Sequence, residues 1–136
     1  MTAKDSVEVK SSMLAYLKAY TPLTSLLLGV SGTSIKETQY QGTDWTFPAI
    51  RISVDLLPSV NGCGPDDADF IIETFVAEKS SLSADVISGT IYKLLHKRAF
   101  TSLGVNFPTV VVKKVVKAEA SIYGWKSQVQ VHTQCV

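Results

Sequence analysis

The segment that most constrains the fold covers residues 68–95, which read as a strand, a short polar turn and a helix. Residues 68–78 are rich in Ile, Phe, Thr and Val and contain no Gly or Pro, a composition typical of a pleated strand. Ser80, Ser81, Ser83 and Asp85 then offer groups that favour a helix N-terminus. Apolar residues follow at helical spacing, namely Ala84, Ile87, Ile91, Leu94 and Leu95. The segment therefore predicts a helix that folds back onto a sheet.

Two other stretches alternate with a period of two, as half-buried strands do. In residues 47–57 the apolar positions are Ile50, Ile52, Val54 and Leu56, and Arg51, Ser53 and Asp55 lie between them. Residues 125–135 give the cleanest alternation, with Lys126, Gln128, Gln130, His132 and Gln134 on one face. Helices are expected over residues 7–20 and 22–28, a strand over residues 109–120, and irregular chain over residues 96–108. The predicted fold class is α+β, an antiparallel sheet of about four strands with helices packed on it, in the order α-α-β-β-α-β-β.

Length and charge narrow the class of protein. The chain has 136 residues, which suit a single domain spanning residues 1–136. Lys and Arg total 13 and Asp and Glu total 12, so a net charge of +1 gives no overall attraction to nucleic acid or membrane. No secretory signal is expected, and the longest apolar stretch, residues 23–30, is far shorter than a membrane span. Two cysteines form no disulfide framework, which favours synthesis in the reducing cytoplasm.

The sequence offers little chemistry. His96 and His132 fall in different elements without neighbours at metal-ligand spacing, so no metal and no cofactor are expected. Cys63 in the loop of residues 58–67 could act as a nucleophile, with Asp66 or Asp67 as acid–base groups. The same residues suit a Gly-rich turn between two strands, and this interpretation is favoured. An enzyme is therefore not expected, although a small enzyme using these residues stays as the alternative.

A second apolar surface is the unusual feature of the predicted sheet. Ile71 and Phe75 lie on the face that also carries Arg51, Asp55 and Glu73. Apolar side chains on a polar face suggest a covering element, which is either the first helix or a partner subunit. Ile71 and Phe75 are therefore a candidate subunit interface.

The order of elements and three stretches resemble the tail terminator, or tail completion, proteins of long-tailed bacteriophages. These are the N-terminal helix over residues 7–20, the strand FPAIRI at residues 47–52, and the strand, turn and helix of residues 70–95, which end in a Leu pair. Two closing strands over residues 110–131 complete the pattern. The resemblance spans nearly the whole chain except the loops of residues 31–44 and 58–67. Its motifs are structural, and it implies no active site.

The resemblance implies a homo-oligomeric ring, a hexamer, that caps the finished tail tube and joins it to the head. The expected partners are the tail tube protein and a head-side connector protein, and the expected location is the head-proximal end of the virion tail, after assembly in the host cytoplasm. DNA would pass through the channel without specific binding, and the near-neutral charge fits that role. The polar face of Lys126, Gln128, Gln130 and His132 is a candidate lumen or partner surface, with an ordinary solvated face as the alternative. Within the same class, a head–tail adaptor or stopper subunit is the other candidate.

Overall fold

Strands dominate the chain in a computed structural model, which describes residues 5–26, 35–37, 48–57, 66–77, 81–121 and 124–135. The helices in these ranges are α1 (Ser6–Lys18), α2 (Thr21–Leu26) and α3 (Leu82–Leu95). The strands are β1 (Ile35–Glu37), β2 (Ala49–Leu57), β3 (Asp66–Val76), β4 (Arg98–Ser102), β5 (Val105–Ser121) and β6 (Gly124–Cys135). All six described strands belong to one sheet, in the spatial order β1-β2-β3-β6-β5-β4.

The predicted fold class, an α+β sheet of about four strands in the order α-α-β-β-α-β-β, is wrong. Strands make up 56% of the structure and helices are few. Five successive strands, β2, β3, β6, β5 and β4, pair with one another in antiparallel fashion, and β1 joins the edge parallel to β2. The observed order of described elements is α-α-β-β-β-α-β-β-β. The prediction failed mainly in residues 96–108, expected to be irregular, which contain β4 and the start of β5.

The β4–β5 hairpin escaped prediction because its local signals are weak. The loop is the dipeptide Leu103-Gly104, with φ of 47° and 80°, so both residues adopt the left-handed conformation of a tight hairpin turn. Leucine is unusual at such a position and does not predict a turn. Pro108 suggests a break in the strand, but it lies where pairing with β4 shifts and before pairing with β6 begins at Val110. A proline is tolerated at such an irregularity because no ladder hydrogen bond requires its nitrogen.

The helices pack on one side of the sheet, which we call the inner face; the opposite side is the outer face. α3 contacts β3, β6 and β5, and α1 contacts β1 and β2 as well as β4 and β5. Every second residue of β3 from Ala68 to Val76 is buried on the inner face. The apolar stripe predicted for α3 is buried against it, including Ile87, Ile91 and Leu95. Removing this apolar surface from water is the main stabilising term of the fold.

Capping and polar contacts fix where the helices lie. Asp5 caps α1 by accepting a hydrogen bond of 2.8 Å from the Glu8 backbone N–H. α3 is tied to β6 by two buried hydroxyls, because the Ser88 and Ser127 side chains are hydrogen-bonded and Ser127 also donates to the Ala84 carbonyl at 3.1 Å. Buried polar groups of this kind are satisfied by one another, which fixes one register of the helix on the sheet.

Candidate interaction surface on the outer face

The two sets of residues that the sequence singled out separately lie side by side on the outer face. In the antiparallel pairing of β3 with β6, Ile71 is opposite Gln130, Glu73 is opposite Gln128 and Phe75 is opposite Lys126. Directly opposed residues share one face of a sheet. The candidate subunit interface and the candidate polar face are therefore one continuous surface. His132, the last member of the predicted set, belongs to the same row of β6 and faces Asp69.

Ile71 and Phe75 remain partly exposed, whereas their neighbours Phe70, Ile72 and Val76 are buried. The first helix, one of the two covers considered from the sequence, packs on the opposite side, where Val9, Met13 and Leu17 join the core. α1 is therefore not the cover of Ile71 and Phe75. Their role at a subunit interface stays a prediction.

The polar residues of the outer face are bonded mainly to one another. Lys126 Nζ lies 3.3 Å from Glu73 Oε2, and Gln130 Nε2 donates to Gln128 Oε1 at 2.9 Å. Both ions of the first pair are partly exposed, so the pair contributes well under 1 kcal/mol, roughly, to stability. The result is a surface that presents amides and a paired lysine and glutamate.

Three carboxylates cluster where β2 and β3 meet at one end of the outer face. Asp55 is opposite Asp69 in the register, and Asp67 lies two residues before Asp69 on the same face. His132 is between them, with Nδ1 2.6 Å from Asp69 Oδ1 and Nε2 3.8 Å from Asp67 Oδ1. We call Asp55, Asp67 and Asp69 the acidic corner. One imidazole serves two of its three carboxylates, so acidic groups outnumber basic groups in the corner.

The outer face of β2 was predicted to be exposed along its whole length, but its first residues are buried. Arg51 is expected on the wet face, yet it is only 1% exposed and donates to the Ile50 carbonyl at 3.0 Å. Ala49, on the same face, is also fully buried. Exposure rises along the strand until Asp55 is open to solvent. The alternation in the sequence therefore predicted which residues lie on each face of β2, but not how much of the outer face is buried.

The residues of the enzyme alternative are only partly described. Cys63 lies outside the described residues, and Asp66 and Asp67 are the first residues of β3. The cysteine near these aspartates is Cys135, whose Sγ donates to the Asp66 carbonyl at 3.6 Å. Burial, reinforced by Asp66 and Asp67, raises the pKa of Cys135 to about 11, so this thiol is protonated and a poor nucleophile.

The described part of the chain shows no metal-binding cluster. No group of three or more His, Cys, Asp or Glu side chains is placed to hold a metal ion among those residues. One cleft of about 260 Å³ is lined by Tyr16, Ala19, Tyr20, Leu94 and Arg98, without a carboxylate, histidine or thiol. None of the described helices is long and apolar enough to cross a membrane.

The distal half of β5 is a feature that the sequence did not reveal. β5 pairs with β4 between Val105 and Val110 only, whereas β6 pairs with it from Val110 to Ser121. Beyond Val110, β5 therefore has a strand neighbour on one side only among the described residues. Exposed lysines lie along this segment, and we call Lys113, Lys114 and Lys117 the lysine edge. The two lysines at 113 and 114 made the alternation irregular, and an inserted residue at that point is the reason.

Comparison with known proteins gives a match in fold. No protein-family model matches the sequence, and no curated protein matches it. A solved chain described as the virion of a native gene transfer agent (GTA) particle superimposes with a TM-score of 0.76 at 12% identity, covering 95% of each chain. A second solved chain, whose name carries no functional information, gives a TM-score of 0.62 at 12% identity over 96% of this chain and 92% of the other. The chain therefore shares its fold with a component of a virion particle.

Proposed function

We propose that this chain is a structural protein of a phage-like virion. The observation that carries the proposal is the fold shared with the gene transfer agent virion chain over 95% of both chains. The described surface supports it, because a continuous face of amides, balanced ions and two apolar side chains suits assembly better than catalysis. The one described thiol beside carboxylates has a raised pKa, which disfavours the enzyme alternative at that place.

Within that class, we propose the tail terminator role that the sequence resemblance implies. Copies of the chain would form a ring, a hexamer, on the last ring of the tail tube and present a new surface to the head-side connector. A head-to-tail contact that closes on itself produces such a ring. The outer face around Gln128 and Gln130 would border a partner or the DNA channel, where neutral amides allow phosphates to slide.

The direct test is a phage that lacks the gene for this protein. Terminator function predicts tails of uncontrolled length that do not join heads, measured by negative-stain electron microscopy. Tails of normal length that stay separate from full heads would instead indicate the head–tail adaptor role. Tails of normal length joined to heads would overturn both assignments, and absence of the protein from purified virions would overturn the structural role itself.

A second test addresses the outer face. Gln128→Lys with Gln130→Lys should leave the fold intact and slow DNA ejection, more strongly at low salt, because added cations bind phosphates by counterion release. The matched control is Val7→Lys with Val86→Lys, which adds the same charge at exposed helical positions. Equal slowing by both variants, or by neither, would contradict a channel-facing position for this face.

A further inference from the structure

We propose that the lysine edge of β5 docks on the acidic corner of a second copy of this chain. The contact would be head-to-tail, with each subunit using its edge toward one neighbour and its corner toward the other. This inference rests on the proposed function as a ring subunit and names the two surfaces that would meet. It is carried by the segment of β5 that extends beyond its pairing with β4, by the charges on both surfaces and by the apolar residues beside them.

Beyond Val110, β5 has no second strand neighbour among the described residues, and this edge is irregular at two places. An extra residue, Lys113, stands between the pairs Val112–Val131 and Lys114–Gln130. A second irregularity falls between Val116 and Glu119 and includes Lys117. Bulges and lysines are the devices by which natural sheets prevent a free edge from pairing with another strand. The edge is therefore unsuited to extending the sheet and available for contacts through side chains.

Charge distinguishes the possible partners of this edge. Lys113, Lys114 and Lys117 are exposed and take part in no ion pair among the described residues. Two copies of the edge would repel each other, and so would two copies of the acidic corner. The favourable combination is an edge with a corner, where Asp55 is exposed and has no described ion-pair partner.

Apolar side chains lie beside both charged surfaces. Val111, which lies on the outer face of β5 as Lys114 does, is 39% exposed, which is high for a valine in a strand. On the receiving side, Ile71 follows Asp69 on the outer face of β3 and is only half-buried. An apolar contact flanked by opposite charges is the usual arrangement of a specific interface. This arrangement also gives Ile71 the subunit role predicted from the sequence.

In the proposed contact each subunit presents its edge to one neighbour and its corner to a different neighbour, and such a head-to-tail contact generates closed rings or open filaments. The like charges on each surface work against dimers that pair edge with edge or corner with corner. Assembly through this contact should therefore proceed beyond two copies and should weaken as salt is added.

The experiment uses the full chain and reverses each surface separately. Lys114→Glu with Lys117→Glu reverses the edge, and Asp55→Lys with Asp67→Lys reverses the corner while leaving the Asp69–His132 pair intact. The control is Lys18→Glu with Lys93→Glu, the same charge change at exposed positions of α1 and α3. Circular dichroism verifies folding, and analytical ultracentrifugation at low and high salt measures assembly.

We expect each reversed variant to need at least about tenfold more protein to assemble, and the control to behave as wild type. An equimolar mixture of the two reversed variants should restore assemblies larger than dimers, because each edge again meets an opposite corner. Unchanged assembly of the edge variant, failure of the mixture, or a wild-type chain that stays monomeric at low salt would overturn the contact. Loss of duplex DNA binding with assembly unchanged would assign the lysines to DNA instead. None of these outcomes alters the tail phenotype that tests the proposed function.

Discussion

The two faces of β3 carry almost the same number of large apolar side chains, but they differ in how deeply these side chains are buried. On the inner face, Phe70, Ile72 and Val76 are covered by helices and are at most 1% exposed. On the outer face, Ile71 and Phe75 alternate with Glu73 and stay partly open. Apolar content alone therefore does not define the core of this protein. What defines it is which face receives the helices, and the other face retains apolar surface for contacts outside the subunit.

The largest loss of stability is expected when a charge is placed on the inner face. Ile52→Asp should abolish soluble folding or cost several kcal/mol, because a fully buried position would hold an unpaired carboxylate. The control is Ser53→Asp, one residue away on the outer face, which should change stability by less than about 1 kcal/mol. Thermal melts of both variants measure the difference. Similar melting temperatures for the two would show that the faces of β2 are wrongly assigned.

Cys135 extends the contrast to chemical reactivity. In a Cys63→Ser background it is the only cysteine, and its pKa of about 11 leaves roughly 100-fold less thiolate at pH 8 than an ordinary thiol. Alkylation followed by mass spectrometry should therefore be slower than in denaturant by at least about that factor. A raised folded-state pKa also means that the stability from the neutral thiol is present below pH 9 and is lost as pH rises toward 11. Rapid alkylation of the folded chain would place Cys135 outside the core.

A smaller effect is expected from the buried hydroxyls that join α3 to the inner face. Ser127→Ala should cost about 1–2 kcal/mol, because it leaves the Ser88 hydroxyl and the Ala84 carbonyl without their partner. The double variant with Ser88→Ala should cost less than the sum of the two single variants. Denaturant unfolding of the three variants measures this coupling. Strict additivity would mean that the two serines do not act as a pair.

The smallest effect on the subunit itself should come from the outer face. Ile71→Ser with Phe75→Ser should leave the folded subunit intact and weaken assembly, so that the melting temperature becomes more dependent on protein concentration. Breaking the exposed ion pair with Glu73→Gln should cost only about 0.5 kcal/mol or less and serves as the comparison. Unfolding of the Ile71 and Phe75 variant at every concentration would move these residues into the core.

The sequence predicted long, patterned elements well and the sheet as a whole poorly. Alternation located β2 and β6, and helical spacing located α3, because each buries one regular face. β4 was missed because it is short and largely exposed, so the sequence of residues 98–102 shows no alternation of apolar and polar side chains. The count of strands, and with it the fold class, depended on that missing hairpin.

The candidate surface was predicted in its residues and not in its geometry. The sequence singled out Ile71, Phe75 and the polar row of β6, but only the pairing of β3 with β6 shows that they adjoin. The lysine edge could not be predicted, because the edge exists only where β4 ends before β5 does. The adjacent lysines at 113 and 114 did give an indication, because they interrupt the alternation at the point where the strand contains an inserted residue.

The pairing of β3 with β6 also has a consequence for how the chain reaches its native state. Cys135 lies 69 residues beyond Asp66, its partner at the end of that ladder. During translation, β3 cannot pair with β6 until the ribosome has made β6. Pairings of such high sequence separation slow folding, toward milliseconds to seconds for sheet-dominated domains. In that interval β3 lacks one of its two strand neighbours, and this nascent strand is where a chaperone would be expected to act.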